Sequence, residues 1–198
     1  MRWGNNMFIV ITGLDGSGTS TIAKKIHELD EESILLKTPS PEYYNREIVD
    51  NVIRKDSITA HFLYYLSSTV YMSDYIKNNL DYKNNNIYCV RYLIDTVVSN
   101  RVAGVDVSLD YNIYGNHLLI PDVTLFVFSD ENLRQKRITL RGKSVLDKIL
   151  DNDLTRQKFL DEFQHLLPAD TTILVENNHT DIDTIAEETL GKIKKLKR

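Results

Sequence analysis

Cysteine, proline and tryptophan are scarce in this 198-residue sequence, at one, four and one residues. The single thiol, Cys89, cannot form an intrachain disulfide, which fits a reducing cytoplasm. Its neighbours Tyr88 and Val90 suit a buried strand, so no reactive thiol is expected. No apolar run approaches the about 20 residues that span a bilayer, and the N-terminus has no secretory apolar core, so no membrane partner is expected. Basic residues are in deficit, 24 Lys and Arg against 28 Asp and Glu for a net charge of −4. That excludes a basic face for a nucleic-acid polymer and leaves small nucleotides as the partners to consider. The basic run at the C-terminus (Lys192, Lys194, Lys195, Lys197, Arg198) reads as a solvated helix end. The five histidines (His27, His61, His117, His165, His179) have no paired metal-ligand spacing, which excludes a zinc site. No repeat or low-complexity linker divides the chain, so residues 1–198 read as one domain.

Glycine is sparse as well, at eight residues, yet Gly13, Gly16 and Gly18 fall in one turn. Before them Phe8-Ile9-Val10-Ile11-Thr12 is a β-branched apolar run. After them Ile22, Ala23, Ile26 and Leu29 recur at helical spacing. A strand, a glycine turn and a helix in succession form an anion cradle. Backbone N–H groups point into one concavity, and the helix N-terminus adds partial positive charge. Gly13, Asp15, Gly16, Ser17, Gly18, Thr19, Ser20 and Thr21 are therefore the candidate ATP-binding set. Gly13 and Gly18 match the spacing of G-x-x-x-x-G-K-[ST], and Ser20 stands where the hydroxyl that ligates Mg²⁺ belongs. Thr19 stands where the pattern has lysine. The backbone cradle survives that change, and one cation near the β- and γ-phosphates is lost.

Further along, strands are expected at 33–37, 87–91, 123–128 and 171–175, and helices at 42–54, 58–80, 95–102, 130–141, 144–150, 153–167 and 181–195. Residues 106–116 lack a period and read as a surface loop. Strands alternating with helices imply an α/β fold, a P-loop three-layer sandwich with a five-stranded parallel sheet and helices on both faces. Its ligands belong at the carboxyl ends of the strands, where 13–20, 38–41, Arg91-Tyr92 and 128–130 all fall. Tyrosines at 43, 44, 64, 65, 71 and 75 crowd one region, mostly as packing, with one or two available to stack on a base.

In this arrangement the sequence resembles the thymidylate kinase family of P-loop nucleoside monophosphate kinases. Gly13-Leu14-Asp15-Gly16-Ser17-Gly18 is similar to its G-x-D-G-x-G, Arg91-Tyr92 to its D-R-Y, and Pro121-Asp122-Val123-Thr124-Leu125-Phe126 to its P-D-x-T-x-x-L. Arg137, Arg141-Gly142 and Asp147-Lys148 are similar to its R-x-x-x-R-G and D-R lid, here at about 137–152. The resemblance implies transfer of the γ-phosphate of ATP to a pyrimidine (deoxy)nucleoside monophosphate, with Mg²⁺ on Ser20. It implies that Asp15 accepts a hydrogen bond from the acceptor sugar and that Arg91, with Tyr92 beside it, forks onto the acceptor phosphate. It implies that Arg137, Arg141 or Lys143 neutralises the transferring phosphoryl group, that Asn100 reads a pyrimidine edge, and that the protein is a homodimer. The long helix at 58–80, apolar and tyrosine-faced, suits that pairing.

The departures define the alternative. Thr19 replaces the loop lysine, Val90 the acid before Arg91, and Phe128 an Asp at a strand end. Ser68 stands where the family has an arginine on the base. Thr38-Pro39-Ser40-Pro41 replaces the R-E-P-G turn and its arginine, for which Arg46, one turn into the next helix, is the expected substitute. Loss of these groups favours a catalytically impaired nucleotide-binding protein, acting as sensor or partner subunit. A GTPase reading fails for want of an N-K-x-D guanine motif.

Overall fold

The computed structural model describes residues 6–81, 84–178 and 181–196. Residues 1–5 of the polar lead-in, His179, Lys197 and Arg198 lie outside the described residues. In chain order the elements are β1 (Phe8–Thr12), α1 (Thr19–Leu29), β2 (Ile34–Lys37), α2 (Arg46–Ile48), a π-helical stretch Val49–Ile53, α3 (Arg54–Asp56) and α4 (Ile58–Asn79). Then come β3 (Ile87–Val90), α5 (Leu93–Val102), a 3₁₀ segment Tyr111–His117, β4 (Val123–Phe128), α6 (Glu131–Arg141), α7 (Val145–Leu150), α8 (Asp153–Leu166), β5 (Thr172–Glu176) and α9 (Ile182–Leu196).

The strands form one five-stranded sheet in the order β2-β3-β1-β4-β5, and every pairing is parallel. The expected α/β sandwich is present. In β1 every residue is buried, and alternation divides the strand between two cores. Ile9 and Ile11 join Ile22, Ile26 and Leu190 on the side of α1 and α9. Phe8 and Val10 join Met72, Ile76 and Val97 on the side of α4 and α5. A third cluster, Leu14, Ile94, Phe126, Leu150, Phe159 and Phe163, closes the carboxyl end of the sheet. Strand β1 lies between β3 and β4, with β2 and β3 on one side of it and β4 and β5 on the other, so a crevice opens at the carboxyl end of β1.

Several boundaries depart from the expected ones for local reasons. Helix α5 starts at Leu93 because Asp95 reaches back to the Tyr92 N–H at 3.0 Å, capping the first turn. The helix expected over 42–54 starts at Arg46, since a tight turn from the Ser40 carbonyl to the Tyr43 N–H occupies its first residues. It continues through the π-helical stretch to Asp56, where Ser57 caps the next helix by accepting from the Ala60 N–H at 3.1 Å. The surface loop at 106–116 contains a 3₁₀ segment, opened by the Asp110 side chain accepting from the Asn112 N–H.

Candidate active site

The loop between β1 and α1 has the conformation its glycines permit. Gly13, Gly16 and Gly18 sit at φ of +151°, +86° and +95°, a region costly to any side chain. A Cβ on Gly18 would stand 2.2 Å from the Asn177 amide nitrogen. Asn177, buried at the end of β5, donates from Nδ2 to the Ser17 carbonyl at 2.7 Å. Arg137 donates to the same carbonyl at 3.2 Å and to the Asn177 carbonyl at 3.1 Å, and Arg134 donates to the Asp15 carbonyl at 2.8 Å. Helix α6 thus grips the phosphate loop through the loop's carbonyls, while inside the loop the Ser17 N–H donates to the Leu14 carbonyl at 3.1 Å. The Ser17 hydroxyl is buried with no partner among the described residues, which fits a cradle whose donor is a match for a phosphate oxygen. Thr19 is buried, while Ser20 and Thr21 are exposed on the first turn of α1.

Beside the loop lies a cavity of about 160 Å³. Arg91 forms its floor at the carboxyl end of β3. Its φ of +69° is a left-handed conformation that costs a non-glycine residue about 1–2 kcal/mol. Two main-chain bonds hold it there: the Arg91 N–H donates to the Ile11 carbonyl at 2.9 Å, and the Thr38 hydroxyl donates to the Arg91 carbonyl at 2.8 Å. The guanidinium donates to the Gly13 carbonyl, to Asp15 at 2.7 Å and to Asp95 at 2.7 Å. Burial lowers the affinity of Arg91 for its proton, and the Asp95 and Asp15 charges more than restore it. A guanidinium has five N–H donors. Three are used here, and Nε–H and one Nη2 hydrogen have no partner among the described residues. That pair suits a tetrahedral oxyanion.

Further cations stand in the cavity wall or within electrostatic reach of it. Arg46 lines it, donating from Nε to the Tyr65 hydroxyl at 3.4 Å. Lys37, at the end of β2, has its ammonium pushed below the usual range by burial and then by the charges of Arg46 and Arg91, with Arg141 adding to the effect. One proton is thus easier to lose where several cations crowd, an arrangement that a bound dianion relieves.

The expected site residues are not all gathered here. Asp15, Arg46 and Arg91 meet at the cavity. Asn100 lines it as well, fully buried on α5, with Nδ2 donating to the Thr96 carbonyl at 2.8 Å. Tyr92 stands in the wall, but its ring is packed edge-on against Phe8 and its hydroxyl is bonded to Ser73. Its side chain belongs to the core, fully buried, while only its backbone N–H takes part in capping α5. Arg137, on α6, lies against the phosphate loop. Arg141 pairs with the fully buried Asp147 at 2.8 Å, and Lys143 with Asp151 at 2.7 Å. Residues the sequence reading did not single out are Asp95, Lys37, Asp50, His61, Tyr65 and Asn177. Asp95 stands four residues after Arg91, a helical spacing that announces an ion pair. The others are united only by tertiary structure.

A phosphate loop between β1 and α1 of a parallel sheet, with cations converging beside it at the topological switch, defines a P-loop nucleotide-binding phosphotransferase. A model of the thymidylate kinase family matches residues 11–188, and the chain belongs to that family. It is similar to a probable thymidylate kinase of Methanocaldococcus jannaschii, 26% identical over 195 residues that cover 97% of this chain and 98% of that protein. It is similar also to a thymidylate kinase of Mycoplasma capricolum, 29% identical over 208 residues, covering 96% of each. Its fold is that of the Candida albicans thymidylate kinase structure, with a TM-score of 0.73 at 21% identity over 98% of this chain and 94% of that one. The chain is a nucleoside monophosphate kinase with ATP as phosphate donor, and nothing in these matches favours the binding-only alternative. Among the described residues no helix is long and apolar enough to cross a membrane.

Proposed function

We propose that this chain transfers the γ-phosphate of ATP to dTMP or a closely related pyrimidine deoxynucleoside monophosphate. The observation that carries the reading is Arg91. Its guanidinium is fixed by Asp15, Asp95 and the Gly13 carbonyl, with two donors left over beside the phosphate loop. In this reading those donors take the acceptor phosphate, and Asp15, on the same fork, accepts from the acceptor sugar. Arg46 and Lys37 add charge on the acceptor side and stand in for the arginine absent from the turn after β2. On the donor side the loop amides, the Ser17 hydroxyl and the N-terminus of α1 hold the ATP phosphates.

Phosphoryl transfer of this kind depends on positioning and charge neutralisation more than on covalent chemistry. Mg²⁺ bound with the nucleotide would neutralise phosphate charge. Among the described residues no group of three or more His, Cys, Asp or Glu could hold a metal alone. The Ser20 hydroxyl would therefore share the ion with phosphate oxygens and water, a usual mode for Mg²⁺. Residues 137–152 are read as a lid within a single domain, since Val145, Leu146 and Leu150 line the cavity from above. Arg141 and Lys143 then reach the transferring group when their carboxylate partners release them, while Arg137 holds the loop. A homodimer is read from the exposed Leu63, Tyr71 and Tyr75 of α4, and a cytoplasmic setting from the buried lone thiol.

Incubation with Mg-ATP and a panel of nucleosides and nucleoside monophosphates, dTMP and dUMP included, followed by chromatography, tests the reading. dTDP from dTMP is the expected product. No product from any acceptor, with ATP binding intact, overturns it.

A further inference from the structure

One wall of the cavity is lined by a hydrogen-bonded chain whose polarity is forced. At one end the Thr96 carbonyl can only accept, so the Asn100 atom facing it at 2.8 Å is Nδ2. Asn100 Oδ1 then faces His61 Nδ1 at 3.4 Å, and two lone pairs cannot face each other in a buried contact. Nδ1 therefore carries a hydrogen. At the other end His61 Nε2 faces Asp50 Oδ1 at 3.2 Å. The Tyr65 hydroxyl takes a hydrogen from Arg46 Nε and passes its own to the same Asp50 oxygen at 2.7 Å. Burial raises the Asp50 carboxyl, but the bonds from His61 and Tyr65 and the Arg46 charge outweigh it and hold the group below the usual range. As a carboxylate it can only accept, so Nε2 carries a hydrogen too. A neutral imidazole has one hydrogen for its two nitrogens.

We infer that His61 is a positioning residue, held as an imidazolium between Asp50 and Asn100, and that it fixes the Asn100 amide so that the acceptor base meets an N–H donor. Asn100 has spent one Nδ2 hydrogen on Thr96 and its oxygen on His61. What it offers the cavity is its second Nδ2 hydrogen. A base with a carbonyl at that edge, of the uracil or thymine type, is matched. A base with an exocyclic amine there, of the cytosine type, sets donor against donor. The titratable and charged groups around His61 are Asp50 and Arg54 from the segment before α4, Tyr65 from α4 itself, and Arg46, beyond Tyr65. The specificity part of this inference rests on the proposed kinase activity; the protonation part does not.

The first test needs no turnover. In protein labelled with ¹⁵N-histidine at neutral pH, His61 should show hydrogens on both ring nitrogens, and Asp50→Asn should return it to a neutral, singly protonated ring. A neutral His61 in the unsubstituted protein overturns the inference. The second test compares kcat/KM for dTMP and dCMP. His61→Leu should shrink the preference for dTMP at least tenfold with the KM for ATP unmoved, and His61→Gln, which keeps a donor toward one neighbour, should recover part of it. A dTMP:dCMP ratio within twofold of the original in folded His61→Leu protein also overturns the inference. If no acceptor is phosphorylated, the kinase reading fails and the spectrum still decides the state of His61.

Discussion

Replacement of Arg91 separates two roles that this residue combines. Arg91→Ala removes the hydrogen bonds to Gly13, Asp15 and Asp95. It leaves two carboxylates, whose side chains are 24% and 15% exposed, without their cation. Truncating one partner of a buried pair costs about 3–5 kcal/mol, and partial exposure puts this case near the lower end, about 3 kcal/mol. Arg91→Gly loses the same bonds, but it relieves a φ of +69° that costs a Cβ-bearing residue about 1–2 kcal/mol. Glycine should therefore be the more stable of the two by about 1 kcal/mol, the reverse of its usual effect. With a urea slope of about 2 kcal/mol/M, the midpoint for Arg91→Gly should lie about 0.5 M above that of Arg91→Ala. Activity should not distinguish them. Two charge-assisted hydrogen bonds to the acceptor phosphate, about 1.5–3 kcal/mol each, predict a fall in kcat/KM of about 10²–10⁴-fold in both. Urea melts and a coupled kinase assay measure the two quantities. A glycine midpoint at or below that of alanine would refute the strained backbone. A fall in kcat/KM of less than fivefold would refute the phosphate-binding role.

Four further outcomes are expected. Arg46→Ala should raise the KM for the acceptor about tenfold, the loss of one charged contact, with the KM for ATP unchanged; initial-rate kinetics in both substrates reads the split. Thr19→Lys should raise kcat about tenfold by returning a cation to the phosphate loop, and unchanged turnover would mean that the missing charge does not limit the enzyme. Gly18→Ala should destabilise by about 2–4 kcal/mol, because its Cβ would meet the Asn177 amide at 2.2 Å in a left-handed backbone. In chemical denaturation a second change, Asn177→Ala, should offset part of that loss, and strict additivity would contradict the clash. Cys89 is fully buried and burial pushes its thiol up, so a thiol reagent should label it only as fast as the protein unfolds.

The first third of the site was legible because it is contiguous. The run from Phe8 to Ile22 combines a buried strand, positive-φ glycines and a helix start, each with its own local signal, and the structure repeats it residue for residue. Arg91 was legible from its place after a strand, since the carboxyl ends of parallel strands are where ligands bind. The direction of the Tyr92 ring was not legible, because adjacency to Arg91 in sequence says nothing about which way the next side chain points; in an extended residue it points the opposite way, here toward Phe8. The strand order was not written in any one segment, as it depends on which crossover packs where. The chain from Arg46 through Tyr65, Asp50 and His61 to Asn100 joins residues up to 54 positions apart. No spacing rule links a helix start near 46 to a helix end near 100. Asn177 carries no local signal of its use, which is to brace a carbonyl 160 residues away.

The π-helical stretch Val49–Ile53 is one residue wider per turn than the α turns on either side of it. Such a turn is what remains when a single residue is added to an ordinary helix without breaking it. Each residue of an α-helix advances about 100° around the axis, so deleting one residue here would straighten the segment and swing Arg46 about a quarter-turn away from the cavity. The direction in which this end of the acceptor site faces is therefore set by a count of residues as well as by their identity. A lineage could redirect that wall by gaining or losing one codon, leaving every side chain in it unchanged.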